Sequence, residues 1–231
     1  MKAAVITFPG SNREGDVAKA LKQAGAEVTH VGHGDTELPA GTDLVVLPGG
    51  FSYGDYLRTG AIAGRAHIMD ATRAHAARGG YVLGICNGFQ IACEAGLLPG
   101  ILVRNAHLKF VCKRQYLKVE RNDTPYTSAY AKGQAIDVCI AHGEGNYIAD
   151  AETLARLEGE GLVAFRYADA EGNVTPAANP NGSLNNIAGI YSPGFNVLGL
   201  MPHPENLIDS LVGGTDGRGL FQSLVGSRRA A

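Results

Sequence analysis

Short runs of apolar, β-branched residues alternate along this chain with stretches whose apolar residues recur every three to four positions. Ala3–Phe8 reads as a strand running into Pro9-Gly10-Ser11-Asn12-Arg13, a turn. A helix follows over Arg13–Ala24, with Val17, Ala20, Leu21 and Ala24 on one face and Gly25 suited to the stop after its last turn. Glu27–Val31 and Asp43–Leu47 read as the next strands, the second ending at Pro48-Gly49-Gly50. The Ala-rich stretch Ala61–Arg78 predicts one long helix ended by Gly79-Gly80. Tyr81–Ile85 is then a wholly apolar strand entering Cys86, with another helix beginning just after. Apolar strands separated by helices predict a parallel sheet covered on both faces.

After Gly100 the pattern changes. Ile101–Arg104, Tyr116–Arg121 and Ala135–Ala141 read as strands without helices between them, so part of the sheet is expected to be antiparallel. A helix over Ala151–Leu157 has Asp150 as its N-cap. Leu162–Tyr167, Ile187–Tyr191 and Val197–Met201 complete the strands, and the Asn-, Pro- and Gly-rich Asn173–Asn186 is a loop. No linker or repeat divides the chain. The expectation is one domain over 1–231 of α/β class, an open, mostly parallel sheet with helices on both faces plus some antiparallel strands.

Composition narrows the partners. The net charge is 20 − 22 = −2, which gives no electrostatic case for nucleic acid or an anionic membrane. The only basic cluster, Arg228-Arg229, reads as a solvated terminus. No apolar run approaches the roughly 18 residues of a membrane span, and the opening run is too short for a secretory signal. The four cysteines lack paired metal spacing, so no metal is expected; without a signal they imply a reducing cytoplasm. No Gly-Lys pair and no complete G-x-G-x-x-G occurs, so ATP or a dinucleotide held by those loops is not expected. The 32 glycines, in a chain of 231, are about twice the usual ~7% and must punctuate turns.

Gly84-Ile85-Cys86-Asn87-Gly88-Phe89-Gln90 joins an apolar strand to a helix through a potential nucleophile with glycine at −2 and +2, the pattern of a nucleophile elbow. At a helix N-terminus the oriented N–H groups favour thiolate, and the Asn87 N–H would face a developing oxyanion. A buried cysteine in a Gly-rich strand end is the plainer alternative. A thiol nucleophile needs a base held by a third group. His30, His33, His67 and His75 read as surface or packing residues, His107 lies in a loop, and His142, in His142-Gly143-Glu144-Gly145, is placed to line a site. His203 is the strongest candidate: in an extended His203-Pro204-Glu205, residues two apart project to one side, so Glu205 can orient the imidazole. The Gly50 N–H, in Pro48-Gly49-Gly50-Phe51, is the candidate second oxyanion donor, with an ordinary β-turn as the plainer alternative. Cys93, Cys112 and Cys139 read as inert buried thiols.

These residues resemble the class I glutamine amidotransferases, whose pattern is G-x-C-x-G-x-Q with a later H-x-E and whose fold is flavodoxin-like. Within that group Phe8–Asn12, the segment PGGFSYGDYLRTGAIA over 48–63, Ile140–Gly145, Met201–Glu205 and the stretch from Asp216 to Phe221 are similar to the glutaminase-subunit family of phosphoribosylformylglycinamidine synthase. The resemblance implies attack of Cys86 on glutamine, proton delivery to ammonia by His203, orientation by Glu205, an oxyanion hole of Gly50 and Asn87, and glutamine contacts from Phe51, Gln90, His142 and Gly143. It further implies a cytoplasmic multi-subunit complex in purine biosynthesis. Ammonia would pass to a synthetase subunit that uses ATP and Mg, a small third subunit would bridge the two, and this chain would bind no cofactor itself. A glutaminase for another synthase, a redox-sensing thiol protein and a cysteine peptidase of the same fold are the alternatives. Cys139 departs from the family pattern, which has proline there.

Overall fold

The computed structural model describes residues 1–227; the Arg228-Arg229 pair lies outside the described residues. Strand β1 (Lys2–Thr7) leads to helix α1 (Glu14–Ala24), closed by Gly25 at φ 96°, and then to β2 (Glu27–Gly32). β3 (Leu44–Leu47), α2 (Ile68–Ala77), β4 (Tyr81–Ile85) and α3 (Asn87–Glu94) follow. The second half contains β5 (Ile101–Val103), β6 (Val111–Val119), β7 (Ala135–His142), β8 (Asn146–Ile148) and α4 (Ala151–Gly159). It closes with β9 (Val163–Ala168), β10 (Ile187–Tyr191), β11 (Val197–Leu200) and α5 (Arg218–Ser227).

Nine strands form one sheet in the order β2-β1-β3-β4-β11-β10-β9-β6-β7. The first five are mutually parallel. Each pairing beyond β11 is antiparallel, so β10 and β6 run one way while the other seven strands run the opposite way. The carboxyl ends of β1, β3, β4, β11 and β7 therefore reach the same edge, the place where open α/β sheets bind ligands. The crossovers β1–α1–β2 and β3–α2–β4 step in opposite directions along the sheet, and right-handed connections put their helices on opposite faces. β3, β10 and β11 are buried along their whole length, as strands covered on both faces must be. The edge strand β7 alternates buried and half-buried positions. Met201 is buried, and beyond it His203 donates its backbone N–H to the Cys139 carbonyl at 2.8 Å, tying the loop after β11 to the edge strand β7.

Three expectations change, and one helix is added. The helix expected over Ala61–Arg78 is a short 3₁₀ turn at Ala63–Arg65, an extended Ala66 and then α2. Gly60, at φ 79°, lies so close to α3 that a Cβ would stand 2.7 Å from the Ile91 nitrogen, which forces the chain to wrap α3 before it can coil. β6 starts at Val111, where exposed Cys112, Lys113 and Arg114 hide the strand pattern, and ends at Val119 instead of Arg121. β5 leaves the main sheet to pair with β8, a three-residue strand too short for periodicity to show. The last helix, α5, buries Leu220, Phe221, Leu224 and Val225 beside α1.

Candidate active site

β4 delivers Cys86 to the sheet edge with φ 52° and ψ −108°, a conformation in which few non-glycine residues are found, and α3 starts at the next residue. The two flanking glycines have direct steric reasons. A Cβ at Gly84 would lie 2.6 Å from the Gly88 carbonyl oxygen, and one at Gly88 would overlap the Leu47 carbonyl of β3. Cys86 donates its backbone N–H to Leu200 of β11 at 2.8 Å, so the elbow is fixed to the strand that carries the histidine. The Asn87 N–H opens α3 and is one of the amides that a helix leaves without an internal partner.

His203 and Glu205 are both almost wholly buried, and Nδ1 of the imidazole lies 2.7 Å from Oε1 of the carboxylate. They do not meet by strand alternation as expected: Pro204–Asn206 is a 3₁₀ turn, and its curl brings the carboxylate back onto the ring. With Nδ1 engaged by Glu205, Nε2 is the nitrogen left for Cys86, whose thiol neighbours the imidazole and directs its proton to the Ala141 carbonyl at 3.9 Å. Burial pulls the His203 pKa down, but the Glu205 carboxylate and the neighbouring Cys86 outweigh it and hold it well above the ordinary value. Gly49 makes room for the ring, since a Cβ there would stand 2.9 Å from Cε1 of His203.

Gly50 follows the end of β3. The Gly49 carbonyl accepts N–H groups from Asn12 and Arg13, both at 3.3 Å, and in a trans peptide this turns the Gly50 N–H to the other side. A Cβ at Gly50 would lie 2.6 Å from the Gly10 carbonyl oxygen, so the turn admits no side chain. Gly50, Cys86 and His203 share the wall of a cavity of about 410 Å³. Phe51, Gln90, His142 and Gly143 line the same cavity. Phe51 is exposed at its rim. The Gln90 side chain is already engaged, accepting from the Asn87 amide at 2.8 Å and donating to the Glu144 carbonyl at 2.6 Å, so it braces α3 against the 142–145 turn.

His142, at the end of β7, accepts at Nε2 from the Asn181 amide at 3.0 Å. The Asn181 oxygen is fixed in turn by the Ser183 N–H at 3.1 Å, which sets the amide's orientation and leaves the imidazole proton on Nδ1. Burial, with help from His203 and His107, lowers the His142 pKa to about 4, so this ring is neutral beside the charged His203 pair. Sequence reasoning missed Asn181, which sits in the Asn-rich segment read only as a loop. It also missed Asn105, wholly buried, which donates to the His142 carbonyl at 2.9 Å and accepts the Gly145 N–H at 3.0 Å. Their signal was polar residues in loops with nowhere to be solvated, and that is invisible until burial is known. Of Asn87, only the backbone was anticipated. Its side chain also accepts the Ser52 N–H at 3.0 Å, fastening the 51–58 segment to the elbow.

The remaining histidines stand away from the cavity wall: His30 and His67 are exposed, while buried His75 faces the Tyr81 carbonyl at 3.2 Å. Cys93 and Cys139 are half-buried and Cys112 is exposed, which corrects the expectation that all three are buried. The packing around Cys93, whose thiol donates to the Pro99 carbonyl at 3.7 Å, still pushes it well above the ordinary thiol range, while Cys112 and Cys139 lie on β6 and β7 at the open end of the sheet. Among the described residues no group of three or more His, Cys, Asp or Glu side chains is placed to hold a metal ion, and no helix is long and apolar enough to cross a membrane.

A family model for the CobB/CobQ-like glutamine amidotransferase domain matches residues 1–214. The phosphoribosylformylglycinamidine synthase subunit PurQ of Bradyrhizobium diazoefficiens is 63% identical over 226 residues, covering 97% of each chain. Among solved structures, a chain from the structure of PurLQS from Thermotoga maritima is 43% identical with a TM-score of 0.86 over 98% of both chains. A glutamine amidotransferase from the same organism shares the fold at a TM-score of 0.65 and 14% identity, covering 100% of this chain and 99% of that one.

Proposed function

The chain belongs to the CobB/CobQ-like glutamine amidotransferase family, and we infer from this that it is the glutaminase subunit of a phosphoribosylformylglycinamidine synthase in purine biosynthesis. It works with a synthetase subunit and a small third subunit, and the ammonia it releases becomes the amidine nitrogen. Relatives that align end to end set aside the redox-sensor and peptidase alternatives.

The observation that carries the chemistry is the buried His203–Glu205 pair beside Cys86 on its elbow. The Cys86 thiolate attacks the side-chain carbonyl carbon of glutamine. The resulting oxyanion accepts N–H groups from Gly50 and Asn87, each such donor being worth about 3–4 kcal/mol. The His203 imidazolium gives its proton to the departing nitrogen, and the C–N bond breaks to leave ammonia and a γ-glutamyl thioester. Water then attacks the thioester with His203 as base, releasing glutamate and restoring the thiol. Phe51, His142 and Gly143 shape the glutamine cavity, and Gln90 holds the turn that covers it. ATP and Mg belong to the synthetase partner, this chain binds no cofactor of its own, and the complex is cytoplasmic, a reading supported by four free cysteines.

An electrophilic glutamine analogue tests this. It should label Cys86 alone and fail to label Cys86→Ala, whereas an adduct on Cys93, Cys112 or Cys139 would remove Cys86 from the role. Glutamine-dependent amidine formation should require this chain, with ammonia alone sufficing for the partner.

A further inference from the structure

Two thiols share the outer face of the β6–β7 pair. The strands run antiparallel with Cys112 opposite Ala141 and Arg114 opposite Cys139. Opposite residues share a face, as do residues two apart on one strand, so all four stand on one side. It is the side away from the core, because Gln115, Leu117, Ile136 and Val138 are buried on the other. Cys112 and Cys139 occupy a diagonal of this ladder. The same diagonal one step along joins Arg114 and Asp137, whose side chains meet at 2.6 Å. Burial pushes the Cys139 thiol up; Arg114 and His203 oppose that, while Asp137 and Cys112 add to it, so the two thiols are within electrostatic reach.

The position of β7 gives the pair its consequence. Diagonal neighbours lie about 7–8 Å apart, somewhat less at Cβ, whereas a disulfide needs Cβ atoms about 3.5–4.5 Å apart. Joining the two sulfurs therefore requires β7 to shear along β6. As the edge strand it pairs along its length with β6 alone. Its other flank is held by two single bonds, the His203 N–H to the Cys139 carbonyl at 2.8 Å and the Asp137 N–H to the Asp216 carboxylate at 2.9 Å. A shear of β7 thus pulls on the backbone of His203. It also moves the Ala141 carbonyl, which faces the Cys86 thiol at 3.9 Å. Neither Cys112 nor Cys139 lines the cavity that holds Cys86.

We propose that Cys112 and Cys139 form a reversible disulfide on exposure to hydrogen peroxide, and that the bond displaces β7 and slows the Cys86–His203 centre. Cys112 is exposed and reacts first, while half-buried Cys139 resolves. The Cys112 thiolate attacks one peroxide oxygen, an S–O bond forms as the O–O bond breaks, and the other oxygen leaves as hydroxide to become water. The Cys139 thiolate then attacks the sulfenic sulfur, forming the S–S bond and expelling hydroxide, which takes up a proton as the second water. Two thiols lose two electrons and one peroxide gains them. An exposed bond that strains its strands is readily reopened by dithiol reductants. Cys139 is also where this chain departs from its family's proline, so relatives that keep the proline lack the second thiol.

The first test exposes the full chain to hydrogen peroxide, blocks the remaining thiols with iodoacetamide under denaturing conditions and maps the digest by mass spectrometry. Peptides joined through Cys112 and Cys139 should appear, and dithiothreitol should separate them. The second measures glutamine hydrolysis by the complex with its synthetase partner after the same exposure. The wild type should lose about tenfold to a hundredfold in kcat, as a misplacement of about 1 Å can cost, and recover with dithiothreitol. Cys112→Ser should match the wild type before exposure and lose far less after it, since only attack on Cys86 remains. Absence of the joined peptides would overturn the pair. Joined peptides with equal losses in wild type and Cys112→Ser would overturn its hold on His203. The peptides are read without turnover, so the thiol pair stands or falls separately from the glutaminase reading.

Discussion

One Glu205 oxygen lies 2.7 Å from His203 and the other has no partner, so the buried carboxylate directs its charge at the imidazole alone. Removing that charge in Glu205→Gln lowers the His203 pKa, and the alkaline limb of the pH–kcat profile should move to lower pH because the proton donor is lost sooner. An unmoved limb would mean that another group supplies the proton. His203→Ala should lower kcat by about 10²–10⁴. The raised His203 pKa also links to stability: its contribution is complete below the unfolded value of about 6.5 and is lost as pH rises through the folded one. At this scale the sequence revealed Cys86, His203 and Glu205, because their roles demand particular residue types at short spacing. Asn105 and Asn181 could not be found that way, since their roles come from being buried beside distant segments.

The elbow is an element whose energetics rest on contact between α3 and β3. Gly88→Ala drives a methyl group into the Leu47 carbonyl, so α3 must lift from the sheet. The expected cost is about 1–3 kcal/mol in urea unfolding, with loss of Cys86 labelling because the thiol no longer faces His203. Gly159→Ala, in the last turn of α4 with open space around it, serves as the control and should be neutral or stabilising by up to about 1 kcal/mol. Elements were legible where one run of residues sets its own environment: β4 and β10 are apolar throughout and have the boundaries that their sequences predict. The Ala61–Arg78 helix was misread because Gly60 and Gly64 answer to α3, a neighbour that periodicity does not contain. The 3₁₀ turn at Pro204–Asn206 was misread because two prolines suit extended backbone and a first helical turn equally.

Across the molecule, the parallel half supplies Cys86, Gly50 and His203, while the antiparallel half supplies His142 and the turn after it. Since both halves share one continuous sheet, calorimetry should show a single unfolding transition, with two resolved transitions counting against that expectation. The bond from His203 N–H to the Cys139 carbonyl has a further consequence. Followed from β11 through β10, β9, β6 and β7, the hydrogen-bonded pairings return through one bridge to His203 in the loop after β11, so the antiparallel half is a closed circuit with the catalytic residue at its junction. A circuit has no free end from which to fray. The His203 amide proton should accordingly exchange with solvent as slowly as those of the central strands, although it lies in a loop.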